Sequence, residues 1–304
     1  MNDNIISEKK SAEYSGMYFS FLVLAVIITN LLVSFTIKSL CGNDNALNDF
    51  QCSDTYKYIS YSLASFVILI VSVLFTMLRR SDIKDICAVK SAKPKYYLLA
   101  VLALIASFFG LSGLNEYFID FLTKNFGYEY AAPILPELNC GNFILVVITV
   151  CILPAFFEEL AFRGVLLYGL RGANAVVTAL VGGACFSLFH MNPAQTPYQF
   201  AVGFTFAILS INSGSIFPSV GAHFVNNLII ICITYFFGGS LDLPCWLGII
   251  LTAAGVLAFI AFVVISVLEN KKTKAKSGEI ILSFLTYAAF GIIICAVMWV
   301  AGLL

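Results

Sequence analysis

The chain has 304 residues, 60% of them hydrophobic and 11% charged, and its formal net charge is zero. A soluble domain carries about 25% charged residues, so this chain cannot cover a water-facing surface and is expected to be an integral membrane protein. The balanced charge gives no reason to expect nucleic acid as a partner.

Its apolar runs are continuous rather than alternating, and several reach the roughly 20 residues a membrane-crossing helix needs. That pattern speaks against a β-barrel. The expected fold is an all-α polytopic bundle of eight to nine transmembrane helices, forming a single membrane domain over residues 1–304. Residues 1–16 are polar. The apolar run Met17–Ile37 that follows is longer than a signal-peptide core and lacks an A-x-A-like cleavage site, so it is expected to remain as the first span. A polar loop, Lys38–Lys57, leads to a second span, Tyr58–Leu78, which stops at Arg79-Arg80. The next loop adds Lys84, Lys90 and Lys93, and short loops rich in Lys and Arg stay in the cytoplasm. This places the N-terminus on the cytoplasmic side of the cell membrane. A third span is expected at Tyr96–Leu114, and the mixed stretch Asn115–Gly141 suits an interfacial helix and loop, either lid or spacer.

The fourth helix, Asn142–Leu170, would be roughly 43 Å long, with a kink at Pro154. A fifth span, Asn174–His190, is followed by a short sixth, Tyr198–Ile211, and a seventh, Pro218–Phe237. An eighth, Trp246–Leu268, ends in the basic loop Glu269–Lys276, which falls on the same side as the first basic loop, and a ninth begins near Ile280. Cys41, Cys52, Cys140 and Cys245 fall in or beside expected outer loops, where an oxidising environment would let them pair. No C-x-x-C pair occurs, which argues against thiolate metal clusters.

One stretch stands apart. Between Glu137 and Asp242 the only Asp, Glu, Lys or Arg residues are Glu158, Glu159, Arg163 and Arg171, and both histidines of the chain, His190 and His223, lie in the same interval. Ionisable groups inside apolar helices are costly and are functional candidates by default. Glu159 and Arg163 are four apart, share a helix face and can pair. Glu158 is turned roughly 100° away. A carboxylate without a cation beside it in an apolar setting is poorly solvated, which makes it the better proton acceptor. The four-residue spacing recurs in Phe186 with His190 and in His223 with Asn227, and a His beside an Asn can supply two hydrogen-bond donors to an oxyanion. Each group also has an ordinary reading. Glu159 and Arg163 make a buried brace, a lone membrane histidine bonds a neighbouring helix, Phe186 packs the core, and Asn227 alone means little. Glu158 resists such a reading, since a second acid beside a paired one adds cost without stability.

Glu158-Glu159-x-x-x-Arg163, Phe186-x-x-x-His190 and His223-x-x-x-Asn227, in that order on separate spans, resemble the CPBP family. These are the CAAX prenyl endopeptidases and bacteriocin-processing membrane proteases also called Abi proteins. Pro154 upstream and Phe162-Arg163-Gly164 within the first motif agree with the resemblance, which covers about Pro154 to Asn227. It implies that helices within 142–237 form a catalytic core for intramembrane endoproteolysis of peptide or membrane-protein substrates at the lipid bilayer. In the family pattern Glu158 and His190 activate a water, His223 and Asn227 stabilise the oxyanion, and Glu159, Arg163 and Phe186 support them. The metalloprotease label leaves two routes open: zinc on Glu158, His190 and His223, or a metal-free, glutamate-activated water. No H-E-x-x-H motif is present. The alternative within the family is a bacteriocin self-immunity or processing factor, and the reading from a different class is a proton-coupled transporter using Glu158 as a relay.

Overall fold

The computed structural model describes residues 2–41, 43–79, 82–86, 88–130, 135–139, 141–239, 243–270 and 277–303. It is 86% helical and, among the described residues, has no strands. The helices are α1 (Asn2–Cys41), α2 (Asp44–Cys52), α3 (Asp54–Leu78), α4 (Ile83–Ile86), α5 (Pro94–Phe126) and α6 (Phe143–Gly169). They continue with α7 (Ala175–Phe189), α8 (Thr196–Ser213), α9 (Phe217–Phe237), α10 (Cys245–Glu269) and α11 (Ser277–Ala301).

The protein is thus an all-α polytopic membrane protein. Among the described residues, seven helices are long and apolar enough to cross a membrane: α1, α3, α5, α6, α9, α10 and α11. The expected fifth and sixth spans are the two that fall outside this set. α7 has 15 residues, about 22 Å of helix against a hydrocarbon core of about 30 Å. α8 has 18 residues, and Thr196, Gln199, Ser210 and Asn212 dilute its apolar character. α7 and α8 instead pack against each other as a hairpin.

α5 runs on to Phe126, where the sequence suggested a break near Leu114. Glu116, Asp120 and Lys124 are spaced by four and so share one face of the extension, and Lys124 reaches Asp120 at 3.5 Å. Gly127, in the left-handed region at φ 71°, ends the helix, a conformation that favours glycine. The Lys38–Lys57 loop also contains a helix, α2, whose N-terminus is capped by Asn43. The disulfide expectation is not met: Cys41, Cys52 and Cys245 carry free thiols, and Cys140 lies outside the described residues. The basic run 271–276 also lies outside them.

The order of the elements alternates direction, so the helix ends fall into two groups. Arg79, Lys84, Lys90, Lys95 and Arg171 gather at one end, tied together by Arg171 Nη2 donating to the Asp85 carbonyl (3.0 Å) and by Lys95 on Glu269 (2.5 Å). α1 packs along α11 and α5 along α10, while α6, α8 and α9 share the middle. The core there is aromatic, with Phe162, Phe186 and Phe206 almost fully enclosed.

Candidate functional site

The site begins with what Pro154 takes out of α6. Proline has no N–H, so the carbonyl of Val150, four residues earlier, has no α-helical donor. The helix around it widens to π-form over Val147–Ile152, returns to α-form over Leu153–Glu159, and widens again over Leu160–Leu166. Such π segments recur at functional sites. The two carboxylates sit at the end of the short α-helical piece between them.

Glu159 is fully buried and Arg163 is 3% exposed. Arg163 Nη1 lies 2.9 Å from Glu159 Oε1, as the spacing predicts, and Nη2 donates to the Gly203 carbonyl at 3.2 Å. That carbonyl is reachable because α7 and α8 cross at glycines. A Cβ on Gly183 would sit 2.7 Å from the Phe204 nitrogen, and one on Gly203 would sit 3.0 Å from Gly183 Cα. The guanidinium also lies over the rings of Phe186 (4.3 Å) and Phe206 (5.5 Å), faces that attract a cation.

His223 meets this brace from α9. Its Nδ1 is 3.0 Å from Glu159 Oε1. With the carboxylate accepting, Nδ1 carries the hydrogen, and Nε2 faces Glu158 Oε2 at 3.9 Å. The contact forms because α9 packs directly on the Leu153–Glu159 piece. Glu158 Oε2 is buried and has no hydrogen-bond donor among the described residues. The two neighbouring carboxylates differ in their partners: Glu159 Oε1 has Arg163 at 2.9 Å and His223 at 3.0 Å, while Glu158 has His223 at 3.9 Å.

His190 caps the end of α7. Its Nδ1 lies 2.7 Å from the Phe186 carbonyl, which can only accept, so the neutral ring presents Nε2 as an acceptor. It lies within electrostatic reach of Glu158 and His223. The Phe186 ring stands between the histidines, 4.8 Å from His190 and 6.0 Å from His223.

Asn227 departs from the expected picture of a free donor beside His223. Its Nδ2 makes a long bond, 3.4 Å, to the Val150 carbonyl left open by Pro154. Its Oδ1 faces Asn226 Nδ2 at 3.5 Å, and Asn226 Oδ1 accepts a 2.6 Å hydrogen bond from Tyr198 on α8. Sequence reasoning missed Tyr198, Asn226 and the Val150 carbonyl. The absent N–H of Pro154 was a local signal for the last of these; the Tyr198–Asn226 contact joins two spans and has no local signature.

Among the described residues no group of three His, Cys, Asp or Glu side chains can hold a metal ion. As placed, Glu158, His190 and His223 do not fit a zinc site.

Fold and site together define a polytopic helical membrane protein whose ionisable groups meet at one enclosed centre. A family model described as type II CAAX prenyl endopeptidase, Rce1-like, matches residues 140–229, the stretch that holds all seven motif residues. The match supports the CAAX protease (CPBP) family for this segment and, in general, a CAAX-type membrane endopeptidase. No curated protein and no solved structure matches the chain.

Proposed function

We propose that the protein is an intramembrane endopeptidase in which Glu158 activates a water molecule against a peptide carbonyl of a membrane-associated substrate, with lipidated CAAX-type peptides as the first candidates. The observation that carries this reading is that Arg163 and His223 Nδ1 meet Glu159 at 2.9 and 3.0 Å, whereas the ion-pair partner of Glu158 is His223 Nε2 at 3.9 Å and its buried Oε2 has no hydrogen bond among the described residues. Glu158 takes a proton from water as the oxygen attacks the carbonyl carbon. His190 Nε2 accepts the second water hydrogen and orients the nucleophile. His223, as an imidazolium stabilised by Glu159, and Asn227 donate to the oxyanion. The proton on Glu158 then passes to the leaving amine as the C–N bond breaks. A positioned general base contributes about 10²–10⁴-fold to such a reaction, and each oxyanion donor about 10²–10³-fold. Helices within 142–237 form the catalytic core of a single membrane domain, with the N-terminus on the cytoplasmic side of the cell membrane.

A second reading rests on the Glu159–His223 contact of 3.0 Å. A carboxylate that fixes a histidine tautomer is the usual companion of a histidine base, so neutral His223 could take the proton and Glu158 the oxyanion side as a neutral acid. Peptide cleavage by the purified full-length protein, with prenylated and unprenylated substrates and with and without chelator, separates the two. Glu158→Gln is expected to lower cleavage at least 100-fold while the protein stays folded. Full activity in Glu158→Gln would sink the proposed mechanism and leave the histidine-base reading standing.

A further inference from the structure

A cavity of about 610 Å³, not lined by Glu158, opens at the basic end of the bundle. Lys84, Lys90 and Arg171 line it with Asp85 as the one acid among the described lining residues, and it also reaches Arg163. Neither Lys84 nor Lys90 has an ion pair among the described residues, and both are exposed. Arg171 is held in place, with its guanidinium 4.2 Å over the Tyr168 ring and Nη2 on the Asp85 carbonyl. The wall also offers hydroxyls from Thr178 and Ser210. The volume lies within the usual 300–1,000 Å³ of small-molecule sites. An excess of fixed positive charge between membrane helices is the recognised setting for phosphate headgroups.

We propose that this cavity is a binding site for a phosphate-bearing anion, supplied either by an anionic phospholipid headgroup or as free phosphate. The phosphate sits between Lys84 and Lys90, where lysines act as point charges toward phosphate oxygens, with Arg171 donating from the side. The same cavity reaches Arg163, whose guanidinium holds Glu159. Occupancy therefore stabilises a wall that includes the brace. The proposal does not depend on the protein being a protease.

The test is binding to the purified full-length protein in neutral detergent, read by native mass spectrometry and by thermal unfolding. The probes are phosphatidylglycerol, phosphatidylcholine and inorganic phosphate, each alone. Phosphatidylglycerol is expected to bind and raise the unfolding midpoint, and phosphatidylcholine is not. The double variant Lys84→Gln with Lys90→Gln should weaken phosphatidylglycerol binding more than tenfold, at roughly fivefold per lysine. Lys84→Arg with Lys90→Arg should restore it. Lys124→Gln, at the far end of α5, removes one positive charge elsewhere and should leave binding as it was. If inorganic phosphate binds with the same lysine dependence, the free anion is the source; if only the lipid does, the headgroup is. Equal binding of phosphatidylcholine and phosphatidylglycerol would overturn the proposal, as would binding that ignores Lys84 and Lys90. Because both lysines are exposed, their loss does not threaten folding.

Discussion

Two carboxylate clusters in this molecule use the same side chains to opposite ends. At the basic end, Glu269 accepts from Lys95 Nζ at 2.5 Å and Tyr96 Oη at 2.8 Å on one oxygen, and from Asn212 Nδ2 at 3.4 Å on the other. Both of its oxygens are occupied, and the pair sits near water, with Lys95 54% exposed. In the centre, Glu159 loads Arg163 and His223 onto a single oxygen, Oε1, while its Oε2 and Glu158 Oε2 are buried with no donor. Buried polar atoms are nearly always paired, and each exception calls for a reason. A rim cluster that is fully satisfied holds three helices together. The central cluster leaves two oxygens without a hydrogen bond among the described residues.

The sharpest way to break this contrast is to remove a cation from each cluster. Arg163→Met leaves Glu159 enclosed with only a histidine for company, and breaking a buried pair from one side costs about 3–5 kcal/mol. The full-length protein in detergent should show a large drop in unfolding midpoint, partly recovered when Glu159→Gln is added. Double-variant recovery matters here, because it distinguishes an uncompensated charge from a simple packing loss against Phe186 and Phe206.

The clamp on Asn227 comes next. Tyr198→Phe removes the hydroxyl that fixes Asn226, leaving a buried acceptor unpaired at a cost of about 1–3 kcal/mol. If the chain from Tyr198 through Asn226 orients Asn227 as an oxyanion donor, kcat for peptide cleavage falls about tenfold, equivalent to about 1.4 kcal/mol of barrier, with KM unchanged. A rise in KM alone would mean that Tyr198 shapes the substrate channel instead. Pro154→Ala should have a different signature. It supplies Val150 with an α-helical N–H and removes the reason for the π turn, so the helix gains hydrogen bonding while Asn227 loses its anchor. Stability is expected to hold or rise while cleavage falls. Falling stability together with activity would count against this account of the proline.

How far these features could be read from the sequence follows from their range along the chain. Glu159 with Arg163 and Phe186 with His190 were legible because both pairs lie one turn apart on one helix, and the structure has both. The all-α membrane architecture was legible because composition alone forbids a water-facing surface. The helical character of the acidic stretch after Leu114 was legible as an interfacial helix, but its continuity with the third span was not, because charges spaced by four mark a helix face without saying whether the helix is new or continued. The side of His223 that faces Glu159 depends on how deeply α9 docks against α6, which residue counting along each helix does not specify. Tyr198 and Asn226 are 28 residues apart on different spans, and periodicity carries no information about such a contact.

The smallest effect is expected at the rim, and its smallness is what gives the comparison its force. Glu269→Gln keeps an acceptor for Lys95 and Tyr96 and loses only charge, in a place where water and salt already screen it. Cleavage should be unchanged, and the unfolding midpoint should move less than in Tyr198→Phe. The neighbouring Asn212 also bonds the Ser266 carbonyl at 3.1 Å, so the end of α10 stays attached to α8 without the acid. A rim variant that abolished cleavage while the protein stayed folded would show that the two clusters are energetically coupled. The line between a structural cluster at the end of the bundle and the proposed reactive one in its middle would then have to be redrawn.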